Sequence, residues 1–302
     1  MDARPETPEP VDRLCHIADV HFWTVERNPL RLLNKRFLGN LNVLLRRRRE
    51  YRTEIVDAYA DHVAELAFPI VLQTGDLTST ALDDEFLRAA RFLRRLRDLG
   101  PDVIAIPGNH DVYTFESVRK RRIARHLDGL IPADDLPARR TLPGGTPLIL
   151  VPTVRPNILS SRGEVDADTV AKTRALVEAA PDPLIVAGHY PLLTTTHGYA
   201  TSWSRRLIGA DRLRDALGAT GKRILYVCGH VHRFSYEQDD RWPNLQHLST
   251  AALVQRRPRQ QTDGAFTEIH AIPDGFRVFQ HVRAAAWSRT EAAPRPHVPD
   301  AT

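Results

Sequence analysis

Short apolar runs alternate along most of this chain with stretches whose apolar residues recur at helical spacing. The runs RLCHIAD (13–19), PIVLQTGD (69–76), DVIAIPGNH (102–110), PLILVPT (147–153), PLIVAGHY (183–190) and RILYVCGHVH (223–232) are short and run out into segments containing Gly, Pro, Asp or His, so they predict buried strands. Helical patterns lie between them, near 51–67, 83–99, 115–127, 166–180 and 205–217. In 83–99, Phe86, Leu87, Ala90, Leu93 and Leu96 fall on one stripe with arginines elsewhere. LQHLSTAAL, AFTEIHAI and FRVFQHV follow as further strands separated by turns such as PDG. Strands alternating with helices, then a β-rich end, predict a layered α/β domain with helices outside its sheets. No internal repeat is visible.

The pattern fades at both ends. Residues 1–12 and 284–302 are rich in Pro, Ala and polar residues and read as disordered tails around one domain at 13–283. A hydrophobic fraction of 42% over 302 residues supports a full core. No apolar run is long enough for a spanning helix. The opening MDARPETPEPVDR lacks the basic-then-apolar order of a secretory signal, so the expected location is cytoplasmic. Cys15 and Cys228 both sit inside predicted strands, where free thiols pack as small hydrophobes. The net charge of +5 adds little, because it is concentrated in RRRREYR (46–52) and RKRRIAR (119–125). Those clusters lack interleaved aromatics and no reader motif accompanies them, which disfavours nucleic acid as a partner.

Chemistry collects at the strand ends. The first strand runs into Asp19 and His21, the second into Gly75-Asp76, and the third into Gly108-Asn109-His110-Asp111. The fifth ends at Gly188-His189 and the sixth at Gly229-His230-Val231-His232. Two residues apart on an extended chain, His230 and His232 face the same way. In open α/β sheets the C-terminal ends of the strands are where ligands bind. Asp19, His21, Asp76, Asn109, His189, His230 and His232 are too many donors for one tetrahedral zinc. With one carboxylate shared they suit two adjacent metals, and mixed imidazole and carboxylate donors without thiolate favour manganese, iron or zinc.

The order D-x-H, G-D, G-N-H-D, G-H, G-H-x-H over roughly residues 13–255 resembles the calcineurin-like metallophosphoesterase superfamily, with no ligand missing. The resemblance implies a four-layer α-β-β-α sandwich of two packed mixed sheets with flanking helices. It implies that Asp19, His21, Asp76 and His232 hold one metal ion and Asp76, Asn109, His189 and His230 the other. It implies hydrolysis of a phosphate ester by attack of a metal-activated hydroxide. His110 would stabilise the transition state or protonate the leaving group. Asp111 would either orient that imidazole or cap the helix that follows.

Substrate class is less sharply written. Pro107 precedes GNHD where protein phosphatases of the superfamily carry an arginine, and the arrangement GDLT, PGNHD, GHYP, CGHVHR looks like bacterial phosphodiesterases that include the cyclic-nucleotide group. A small phosphodiester or phosphomonoester is therefore expected, cyclic nucleotides first among named candidates. The segment 29–51 adds an alternative. Leu30, Leu33, Phe37, Leu41, Leu44 and Leu45 make an apolar stripe flanked by Lys35, Arg36 and Arg46 to Arg49. Such a segment either caps the domain, stripe inward, or lies on an anionic membrane surface, which would suit a lipid-linked pyrophosphate substrate. A non-catalytic scaffold is disfavoured by retention of all seven ligands. Oligomeric state is not written in the sequence.

Overall fold

The computed structural model describes residues 9–26, 37, 41, 45, 47–131, 136–157, 160–199 and 202–296. The first strands are β1 (Asp12–Ile17), β2 (Ile70–Gln73) and β3 (Asp102–Ala105). Then come β4 (Ala138–Thr141), β5 (Pro147–Leu150), β6 (Gly163–Glu164), β7 (Leu184–Ala187) and β8 (Leu207–Ile208). The rest are β9 (Ile224–Cys228), β10 (Ser235–Gln238), β11 (Leu245–Ser249), β12 (Gly264–Ile272), β13 (Gly275–Arg283), β14 (Trp287–Ala292) and β15 (Arg295–Pro296). Helices are α1 (Val56–Glu65), α2 (Asp83–Asp98), α3 (Phe115–Arg119), α4 (Arg122–His126), α5 (Ala167–Glu178) and α6 (Ala210–Gly218).

Among the described residues, one sheet has the order β14-β13-β12-β1-β2-β3 and the other β15-β10-β11-β9-β7-β5-β4, while β6 pairs with β8 apart from both. β1, β2 and β3 run parallel, as do β5, β7, β9 and β11, and each sheet also carries antiparallel pairs. The two-residue period of a strand makes the layers. Leu14, Ile70 and Leu72 of the first sheet meet Leu148, Ile185, Leu225 and Val227 of the second in a core between the sheets. The intervening residues Cys15, Ile17 and Val71 face outward under Tyr59 of α1 and Phe86 and Leu93 of α2. On the far side Val186, Ile224 and Tyr226 pack under Val177 of α5 and Leu213 and Leu217 of α6. The result is the expected sandwich, helices on sheet on sheet on helices.

Several local expectations shift. The helical pattern 115–127 divides into α3 and α4 at Arg121, whose φ of +48° cannot continue a right-handed helix. The pattern from 205 becomes helical only at Ala210, because Leu207 and Ile208 pair with β6 first. In α2, Leu87 points outward at 56% exposure, while Ala89 and Phe92 complete the buried stripe. Both cysteines are buried and free, and burial pushes their thiols up, as expected of packed hydrophobes.

The disordered tail expected from 284 is not what forms. β14 pairs in register with β13, and β15 with β10. Long-range contacts supply what the local pattern lacks: Trp287 stacks on His62 at 4.3 Å, and Arg289 donates to both oxygens of buried Glu268 at 2.7 and 3.1 Å. His270 and His281 meet the same carboxylate at 2.5 and 2.8 Å. A chain ending at Arg283 should therefore lose about 2 kcal/mol of stability, because it removes the charge-assisted bonds of Arg289 to a buried carboxylate that keeps Arg13, His270 and His281. Denaturant unfolding of the truncated and full chains measures it; equal midpoints would make β14 ornamental.

Candidate metal centre

Every predicted ligand lies just beyond a strand end, not on the strand. β1 stops at Ile17, β2 at Gln73, β3 at Ala105, β7 at Ala187 and β9 at Cys228. The picture of His230 and His232 projecting from one face of an extended chain is accordingly corrected. Their φ values are +71° and +58°, and those of Asp19, His21 and Asp76 are +55°, +53° and +58°. Thus five of the nine non-glycine residues with positive φ among the described residues belong to the predicted ligand set. Left-handed backbone is costly for such side chains, and it clusters where surrounding structure holds it for function.

Neighbouring loops provide that hold. Asp19 N–H donates to Gly75 O and His21 N–H to Asp76 O, both at 3.0 Å, extending the β1–β2 pairing past the strands. Gly75 turns the second loop at φ +98°, and Gly108 lets the third approach it: a Cβ at Gly108 would sit 2.1 Å from Asp76 N. Asp111 completes the joint. Its oxygens accept from Gly108 N at 2.8 Å, Thr78 N at 2.8 Å, Leu77 N at 3.3 Å and the Thr78 hydroxyl at 2.9 Å. Both roles expected of Asp111 are thereby revised. It ties two loops together, the His110 ring is held by other groups, and Thr114 caps the following helix.

All seven predicted donors are brought together. Asp19, His21, Asp76 and His232 form one group whose ligand atoms lie within 4.8 Å of one another, and Asp76, His189 and His230 form a second. Asn109 joins the second group, its Oδ1 lying 3.0 Å from both His189 Nε2 and His230 Nδ1. Asp76 faces both ways, with Oδ2 3.7 Å from His21 Nε2 and Oδ1 3.5 Å from His189 Nε2.

The hydrogen-bond pattern shows whether cations suit these groups. His189 Nδ1 lies 2.8 Å from Thr74 O and so carries the proton, which leaves Nε2 as an acceptor facing another acceptor, Asn109 Oδ1. Burial favours the neutral His189 ring, but Asp76 beside it raises it to about 9, so in the metal-free protein a proton separates the two acceptors. His21 and His232 present Nε2 to Nε2 at 3.0 Å. Burial pushes both down, His232 to about 3, with the Arg47 charge adding to the effect at His21. Burial and the neighbouring His189 likewise keep His230 neutral. Burial, then Asp76, pushes Asp19 up; at Asp76 itself burial is overcome by His189 and His110, which hold it well below the usual carboxylate range. The neutral imidazoles of His21, His230 and His232, with lone pairs converging beside Asp19 and Asp76, fit two cations, one of which would take the place of the proton on His189.

Two residues in contact with this centre were not singled out from sequence. Arg47 places Nη1 3.2 Å from His21 Nδ1 and Nη2 2.9 Å from His110 Nε2. One turn later, the Tyr51 hydroxyl lies 2.7 Å from His232 Nδ1. Both belong to the basic run after the apolar stripe, in a segment expected either to cap the domain or to lie on a membrane surface. Half of the stripe, Leu30, Leu33 and Leu44, falls outside the described residues; Phe37, Leu41 and Leu45 are exposed, and Arg47 and Tyr51 are buried. His110, expected to act at the leaving group, puts Nδ1 2.7 Å from Ser79 O, so its Nε2 accepts from Arg47. Tyr51 orients His232 as groups behind a metal ligand do. Tyr51→Phe should therefore weaken metal binding by roughly ten- to a hundredfold with little change in the unfolding of the metal-free protein. Competition with a metallochromic chelator reads this directly, and unaltered affinity would remove Tyr51 from the centre.

No curated protein matches the chain. In fold it is similar to a dimetal phosphatase from Danio rerio, at 14% identity and a TM-score of 0.62, covering 94% of this chain and 100% of that one. It is similar also to a purple acid phosphatase from yellow lupin seeds, at 12% identity and a TM-score of 0.57, covering 95% of this chain and 55% of that one. The family model for calcineurin-like phosphoesterases matches residues 12–234, the span that carries β1 to the loop after β9 and with them every residue of the centre. By that match, over most of its length, the chain belongs to the calcineurin-like phosphoesterase family.

Proposed function

We propose that the protein is a dinuclear-metal-dependent phosphohydrolase acting on a small phosphodiester or phosphomonoester, with 3′,5′-cyclic nucleotides the first substrates to try. The observation that carries this reading is Asp76, whose two oxygens face two separate donor groups, 3.7 and 3.5 Å from His21 and His189. Two divalent or trivalent ions there, manganese, iron or zinc, would polarise the phosphoryl group and make a water nucleophilic near neutral pH. The chain's own residues do the rest. Asp19, His21, Asp76 and His232 would hold one ion and Asp76, Asn109, His189 and His230 the other. Asp19, His21, Asp76 and His189 are almost wholly buried, which closes the inner side to bulk water. His110, His230 and His232 are partly exposed, so substrate enters past them.

Hydrolysis of a panel by manganese-loaded protein tests the reading: 3′,5′-cyclic AMP, simple phosphomonoesters and a UDP-linked acyl sugar. Metal-dependent turnover of the first two classes is the expected result. Metal-loaded protein that turns over none of them would sink it.

A membrane-facing form of the same reading has one observation in its favour. Phe37, Leu41 and Leu45, four residues apart, are 56, 43 and 66% exposed, close in sequence to exposed Arg48 and Arg49. Selective turnover of the acyl sugar, with sedimentation on anionic vesicles, would favour a lipid-linked substrate over cyclic nucleotides.

A further inference from the structure

Arg47 has an unusual situation for a cation. It is 8% exposed, sits among the metal-site imidazoles, and pairs with no carboxylate among the described residues. Its Nη2 has a good acceptor in His110 Nε2 at 2.9 Å, since the other nitrogen of that ring donates to Ser79 O at 2.7 Å. Its Nη1 does not. His21 Nδ1 lies 3.2 Å from Thr78 O, and a histidine that offers Nε2 to a metal keeps its proton on Nδ1 for that carbonyl. Nη1 then meets an N–H at 3.2 Å, with only Ser79 O, 3.5 Å away, on the accepting side. A buried guanidinium with half its fork unsatisfied is a strong demand for an acceptor, and a negatively charged one answers best.

Backbone contacts fix this guanidinium in place. Tyr51 N–H donates to Arg47 O at 2.8 Å, closing one helical turn that carries Arg47 and Tyr51 on the same side. That turn is tied to the loop after β11: Arg52 N–H donates to Val254 O at 3.1 Å, Arg256 N–H to Glu50 O at 2.6 Å, and Tyr51 bridges to Gln255. Arg257 on the same loop donates to His232 O. The backbone that carries the cation is thus held at the mouth by main-chain bonds on its C-terminal side.

We infer that Arg47 grips a non-bridging oxygen of the substrate phosphate, and that His110 acts on the substrate through Arg47 by holding its fork. The inference rests on the hydrolase reading above. It gives the otherwise unexplained basic run a function at one position, Arg47.

Inorganic phosphate is the probe, titrated calorimetrically into manganese-loaded wild type, Arg47→Ala and Arg47→Lys, with metal content measured by elemental analysis. Arg47→Ala should bind phosphate at least about tenfold more weakly while keeping its metals. Arg47→Lys, which keeps the charge but loses the fork, should fall between and guards against a misfolded alanine variant. Adding His110→Ala to Arg47→Ala should cost little further phosphate affinity if His110 works through Arg47. Unchanged phosphate affinity in both Arg47 variants overturns the inference. So does loss of metal in parallel with phosphate, which would make Arg47 a support for the ligand histidines, and so does a fully metal-loaded wild type that binds no phosphate. Wild type that holds two metals and hydrolyses no ester would instead defeat the hydrolase reading, while phosphate affinity still decides the role of Arg47.

Discussion

Asp76→Asn should leave a folded protein that holds at most one metal per chain and hydrolyses phosphate esters at least about a thousandfold more slowly than wild type. The substitution keeps shape and removes charge. Asparagine tolerates the φ of +58° at this position, and its carbonyl can still accept from His110 N–H, which donates to Asp76 Oδ1 at 2.8 Å. The metal-free fold should therefore survive. It is relieved of a buried like charge as well, because Asp19 is pushed up first by burial and next by Asp76. What is lost is the one anionic group that faces both donor sets. Elemental analysis gives the metal count, and thermal unfolding with and without manganese gives its linkage to stability. Wild type should be stabilised by manganese and the variant much less. Two metals and near-normal turnover in Asp76→Asn would refute the shared role.

Asp111→Ala should reduce stability by about 3–5 kcal/mol, an unusually large effect for a residue outside the ligand set. The carboxylate is buried and takes three backbone N–H groups and the Thr78 hydroxyl from two loops. Alanine leaves the three N–H groups without this acceptor, though the Thr78 hydroxyl keeps His110 O at 3.1 Å, in a site with no room for compensation: a Cβ added at Gly108 would touch Asp76. The loops that release are those carrying Asp76 and Asn109, so activity should fall in step with metal occupancy. Denaturant unfolding and metal content, measured on the same preparation, decide the matter. Normal stability and metal with lost turnover would restore Asp111 to a direct part in the chemistry.

The two variants separate what local sequence encodes from what it does not. The alternation of apolar runs and helical stripes is a local property, set by a period of two in strands and near 3.6 in helices. It placed β1, β2, β3, β5, β7 and β9 and, through their order, the layered fold. Chemical type is equally local. Aspartate, asparagine and histidine at strand ends announce a metal centre whatever their backbone does, so the seven donors were legible before their geometry was.

Three features were decided only by tertiary structure. The ligand loops adopt left-handed conformations because neighbouring loops hold them there, and no residue pattern distinguishes Asp19 at φ +55° from an ordinary strand residue. β14 is a strand because Trp287 and Arg289 find His62 and Glu268, partners far away in the chain. Arg47 and Tyr51 belong to the centre because a helical turn docks beside the loop after β11, bringing Tyr51 to His232 across 181 residues. Propensity and periodicity act within a few residues, while such contacts depend on how whole elements pack. The sequence by itself determined the layers and named the candidate ligands that the fold brings together. Packing decided which charged side chain of a basic run turns inward.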